Sequence, residues 1–132
     1  MTRNFSYGWG TFVLLLASGV ALSAEHTKDS PADVQKAVQA KKAVLLDVRE
    51  QSEWDEGHLK GAKLLPLSKL KKGDPKNITK DLPKDKVIYC HCRAGTRSLQ
   101  AADILQKLGY DVRPLKEGYE DLLKAGFTKS DK

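Results

Sequence analysis

The chain is short of cysteine, histidine and aromatic residues. It has two Cys and three His among its 132 residues, and aromatic side chains make up 7%. Two cysteines exclude a disulfide framework. Cys90 and Cys92 stand two positions apart. In an extended strand their Cα atoms would lie roughly 6.5–7 Å apart, at or beyond disulfide reach unless the chain bends. Three scattered histidines give no metal-ligand spacing, so no metal is expected. Basic residues outnumber acidic ones, 23 to 17, for a net charge of +6. Nine lysines against three aspartates fall between Lys60 and Lys86. No aromatic residue interleaves with them, which argues against nucleic acid as a partner. They read as a solvated, loop-rich face. No apolar run approaches the roughly 20 residues of a membrane-spanning helix.

The N-terminus differs in kind from the rest. "MTRNFSYGWG" carries one cation, Arg3, and no acid. "TFVLLLASGVAL" is apolar and uncharged, "SA" follows, and charged residues begin at Glu25. This is the order of a secretory signal peptide over residues 1–24. Cleavage fits after Ala24, and also after Ser23, which places Ala21 three residues back. The expectation is an exported protein, periplasmic or secreted, with no membrane attachment once cleaved. Residues 25–29 read as a short linker, 30–128 as one domain, and 129–132 as a tail.

Within that domain, strand and helix patterns alternate. Ser30 can cap a helix, Pro31 suits its first turn, and Val34, Ala37 and Val38 form its apolar stripe. "AVLLD" (43–47) and "KVIYC" (86–90) are continuous apolar runs, as in strands covered on both faces. A short helix over 50–57 stops at Gly57. "AKLLPL" (62–67) reads as a short strand, and one short helix is expected between Ser68 and Lys86. The helix over 98–109 has Ala101, Ile104, Leu105 and Leu108 on one face and Gly109 at its end. A strand over 110–115 and a helix over 117–126 complete the chain. The alternation predicts an α/β domain with a mainly parallel sheet.

Both cysteines fall in "YCHCRAGTRS" (89–98), between a strand and a helix. A strand's carboxyl end is where open α/β folds place their sites. Cys92 begins a loop of Arg93, Ala94, Gly95, Thr96 and Arg97. The N–H groups and positive dipole end of the following helix face back into it. Gly95 can take backbone angles that turn amides inward as an anion cradle. Arg93 and Arg97 would add positive charge. All of these favour a thiolate nucleophile at Cys92 and an anionic substrate beside it.

The loop resembles the active-site loop of rhodanese-like sulfurtransferases. "LLDVREQSEWDEGHLKGAKLLPL" (45–67) resembles that family's second hallmark, and "EGYEDLLKAGF" (117–127) its C-terminal segment. The resemblance implies the rhodanese-like fold, with a five-stranded, mainly parallel sheet flanked by helices. It implies that Cys92 takes the outer sulfur of a small anionic donor such as thiosulfate, becoming a persulfide. The sulfur then passes to a thiol or cyanide. Amides from Arg93 to Arg97 would cradle the persulfide, the arginines would orient the donor, and no cofactor would be needed. Related phosphatases place five residues between Cys and Arg, whereas four separate Cys92 from Arg97. The tighter loop suits one sulfur atom better than a phosphate. Two features depart from the family: Gly118 is followed by Tyr119 rather than a second glycine, and the last helix has no Trp. Both bear on substrate choice.

In the family Asp47 and Arg49 tie the strand end to nearby loops, which makes them structural here. His58 is expected to satisfy backbone groups at a turn. His91 either tunes Cys92 or faces into the sheet. Cys90 is expected to be a small buried hydrophobe, or else a resolving thiol. The alternatives to sulfur transfer are a non-catalytic anion- or partner-binding module and a thiol redox protein using both cysteines. A monomer is expected.

Overall fold

The computed structural model describes residues 23–132. The expected signal peptide lies outside the described residues, except for Ser23 and Ala24. Among those described, no helix is long and apolar enough to cross a membrane.

The sheet is parallel and has four strands, in the order β2-β1-β3-β4. These are β1 (Ala43–Asp47), β2 (Lys63–Leu64), β3 (Val87–His91) and β4 (Val112–Pro114). Leu46 pairs with Cys90, and Asp47 with His91. Side chains alternate between two cores, one on each face. Leu46, Ile88, Cys90 and Cys92 share one core with Ala101 and Leu105 of helix α5 (Thr96–Lys107). Leu45 and Tyr89 enter the other. They meet Val34 of α1 (Pro31–Gln39) and Leu122 of α6 (Tyr119–Lys124) there. Each fully buried leucine stabilises the fold by about 1.5–3 kcal/mol. Cys92 therefore emerges from a rigid strand on the face covered by α5.

The resemblance implies five strands; among the described residues four form. At the edge of β4, the Thr27 N–H donates to the Pro114 carbonyl at 2.8 Å. "EHTKDS" has no run of strand-forming residues, and the cap of α1 at Ser30 ends the extended stretch at once. The residues read as a short linker make polar contacts with the domain. The Ala24 N–H reaches Asp103 Oδ1 at 2.6 Å, and Asp29 Oδ2 accepts from the Tyr89 hydroxyl at 2.7 Å. The tail is tied as well: Ser130 N–H donates to the His58 carbonyl.

β2 is shorter than its apolar run because Pro66 caps the next helix, α3 (Leu67–Lys72). A second short helix, α4 (Pro75–Ile78), follows where one helix was expected, capped by Asp74. Helix α5 begins at Thr96, two residues earlier than expected, because Gly95 caps it in the left-handed conformation.

Candidate active site

β3 ends at His91, and the chain turns sharply into α5. Gly95 makes the turn with φ +91, a conformation that favours glycine. The turn brings the Gly95 N–H to 3.1 Å from Cys92 Sγ. An N–H aimed at sulfur at a helix start stabilises negative charge on that sulfur. Cys92 is 1% exposed, so its sulfur sits at the bottom of the loop. Arg93, Ala94 and Thr96 are on the surface.

Arg97 is partnered. Its guanidinium grips Glu53 of helix α2 (Gln51–Glu56) in two bonds, 2.5 Å and 2.9 Å. The resemblance implied that Arg97 orients the donor; in the structure a carboxylate faces its guanidinium. These bonds hold the Glu53 carboxyl at about 2, below its ordinary 4.5, against the opposing effect of burial. A depressed carboxyl stabilises the fold above its unfolded value, and the benefit is lost as pH falls toward the folded value. Glu53→Gln is expected to lower the melting temperature at neutral pH. The gap from wild type should shrink as pH drops from 4.5 toward 2. Melts across that range test it; a gap that stays constant with pH would refute the coupling.

Asp47 and Arg49 form a buried pair. Arg49 Nε lies 3.0 Å from both carboxylate oxygens, and Nη2 lies 2.8 Å from Oδ2. Nη2 also holds the Gly57 carbonyl at 2.8 Å. The guanidinium carbon sits 4.2 Å from the centre of the Tyr119 ring. The pair thus joins β1, the end of α2 and the start of α6. His91 is fully buried, with Nδ1 3.2 Å from the Cys92 carbonyl and Nε2 3.8 Å from Asp47 Oδ2. Burial pushes its pKa below the ordinary 6.5, against the pull of Asp47. A neutral ring donating to a backbone carbonyl supports the loop's frame. His58 stacks on Trp54, ring centres 3.6 Å apart, with Nδ1 3.1 Å from the Trp54 carbonyl.

Beside the loop lies a cleft of about 350 Å³. Arg49, Arg93, Tyr119 and Lys129 line it together with Glu56 and Glu120. Arg93 and Lys129 form no ion pair among the described residues. The Tyr119 hydroxyl is buried and has no hydrogen-bond partner among them. The Tyr119 N–H donates to the Cys92 carbonyl at 2.9 Å, so the cleft wall and the thiol loop share backbone contact.

The family model for the Rhodanese-like domain matches residues 30–125. The chain belongs to the rhodanese-like family. The Bacillus subtilis protein YqhL is 41% identical over 81 residues, covering 61% of this chain and 60% of that one. The adenylyltransferase and sulfurtransferase UBA4 of Yarrowia lipolytica is 35% identical over 101 residues. That match covers 76% of this chain and 24% of UBA4. The chain thus spans less than two thirds of the curated relatives it matches. The solved structure of a rhodanese-related protein from Thermoplasma volcanium superposes with a TM-score of 0.65 at 26% identity. That match covers 77% of this chain and 95% of the other. The α/β fold with its parallel sheet is that of the rhodanese-like family, and the relatives include a protein named as a sulfurtransferase.

Two residues of the site were not picked out in the sequence: His26 and Glu53. The i, i+3 spacing of Glu50 and Glu53 signals the capping of α2, but not its reach to Arg97. His26 carries no local signal, because it acts from a segment remote in sequence.

Proposed function

We propose that the chain is a sulfurtransferase carrying sulfane sulfur as a persulfide on Cys92. The Cys92 thiolate attacks the outer sulfur of thiosulfate, and the S–S bond of the donor breaks. Sulfite leaves with the electron pair, and the cysteine holds the terminal sulfur as Cys–S–S⁻. Cyanide in an assay, or a thiolate in the cell, then attacks that sulfur and restores the Cys92 thiolate. Arg93 and Lys129 supply positive charge for the donor from the cleft. The observation that carries this reading is the Gly95 N–H, 3.1 Å from Cys92 Sγ. Four residues separate Cys92 from Arg97, a tighter loop that suits one sulfur atom better than a phosphate. The N-terminal pattern supports export as part of this proposal, with action as a monomer outside the cytoplasm.

A redox pair is less well supported. Cys90 is fully buried, and its Sγ donates to the Ser98 carbonyl at 3.4 Å. Burial, with the neighbouring Cys92 as a lesser cause, pushes the Cys90 thiol well above its ordinary value. Such a thiol is a poor nucleophile. Cys90→Ala is expected to keep sulfur transfer within about threefold of wild type. Loss as complete as in Cys92→Ala would favour the redox reading.

Intact-mass spectrometry tests the proposal. Thiosulfate should add one sulfur, about 32 Da, and cyanide should remove it. No gain from thiosulfate, polysulfide or a mercaptopyruvate-type donor, on folded and reduced protein, would refute it and leave the binding module.

A further inference from the structure

The thiol loop is held from outside by a segment that carries none of its motif. His26 Nε2 lies 2.8 Å from the Gly95 carbonyl oxygen. A carbonyl can only accept, so Nε2 carries the proton and donates. The ring is only partly buried, and it sits on residues 25–29, the segment pinned to β4 and β3. Ser98 Oγ also lies 2.8 Å from this carbonyl, but it is 3.1 Å from the Leu115 carbonyl as well. Its single proton serves two acceptors, whereas the His26 proton serves one.

We propose that His26 is a positioning residue for the reactive sulfur. In a trans peptide, the carbonyl and the next N–H point in opposite directions. The Gly95 carbonyl is drawn toward His26, so the Thr96 N–H of the same peptide is turned the other way. Thr96 is the first residue of α5, and the helix does not use its N–H. The same contact fixes the Gly95 backbone, whose own N–H meets Cys92 Sγ. The fit is close: a Cβ on Gly95 would stand 3.2 Å from His26 Nε2 and 3.0 Å from the Lys116 carbonyl. His26 touches neither sulfur nor substrate. It acts by holding two amides in the orientation that favours negative charge on sulfur.

The proposal rests on Cys92 being the reactive thiol, and its test uses no sulfur donor. The rate at which iodoacetamide alkylates Cys92 is measured by mass spectrometry on wild type, His26→Ala, His26→Phe and His26→Gln. Circular dichroism confirms folding. The glutamine amide can donate from nearly the same place as Nε2, and neither Ala nor Phe can. Losing this bond is expected to slow alkylation about threefold to tenfold in His26→Ala and His26→Phe. His26→Gln should recover the wild-type rate within about twofold. His26→Phe carries the test should His26→Ala fail to fold. An equal or faster rate in the Ala and Phe variants overturns the proposal. So does a Gln variant as slow as they are. A wild type that shows this dependence on His26 but takes up no sulfur would sink the transfer reading alone.

Discussion

Cys92→Ser is expected to abolish sulfur loading while leaving the fold intact. Serine is close to cysteine in volume, and the site is a packed sheet end, so the backbone has no reason to move. The hydroxyl keeps the Gly95 N–H as a neighbour but is hardly ionised at neutral pH, and it forms no persulfide. With thiosulfate the variant should gain no mass, and its thiocyanate formation should fall by at least about a thousandfold. The melting temperature should stay within a few degrees of wild type, because the change opens no cavity and the hydroxyl keeps the Gly95 N–H as a partner. The variant also separates the proposed enzyme from a binding module. A module that recognises an anion or a partner through the loop amides needs the backbone and not the thiol. If Cys92→Ser fully replaced wild type in the host, catalysis would not be the purpose of the loop.

Local chemistry made much of this legible in advance. Continuous apolar runs mark β1 and β3 because both faces of those strands are covered. Pro31 and Ser30 mark the start of α1 because capping is decided within one turn. The strand–loop–helix order around Cys92 is also local, and it places the thiol at the carboxyl edge of the sheet. What could not be read depends on partners far apart in the chain. Arg97 looked like a free cation in its own loop, and only the folded chain brings Glu53 to it from α2. The segment 25–29 looked like a linker because it lacks apolar pattern. Its order comes from polar contacts with Pro114, Tyr89 and Gly95, each at least 60 residues away. The fifth strand was inferred by resemblance rather than from any strand-forming run, and among the described residues the sheet has four.

Gly118→Ala is expected to disable the site from the other side of the loop. Gly118 has φ −84 and ψ 179, angles that alanine adopts freely, so backbone strain is not the reason for glycine here. The reason is space. A Cβ at this position would stand 1.7 Å from the Arg93 carbonyl oxygen and 2.5 Å from its carbon. Both are backbone atoms, so no side-chain rotation relieves the clash. Either the Cys92–Arg93 turn or the start of α6 must withdraw by more than an ångström. Either movement breaks the 2.9 Å bond from the Tyr119 N–H to the Cys92 carbonyl and shifts the thiol relative to Gly95. A displacement of about 1 Å at a reacting centre can cost roughly a hundredfold in rate, and overpacking costs about 1–3 kcal/mol in stability. Gly118→Ala should therefore lose about a hundredfold in sulfur transfer and melt lower. Gly61→Ala is the control. Gly61 has φ +81 but no atom within 4 Å of an added Cβ, so it meets strain without a clash. It should lose about 1–2 kcal/mol of stability and keep its activity. Equal activity in Gly118→Ala and Gly61→Ala would mean that close packing against Gly118 does not hold the thiol loop in place.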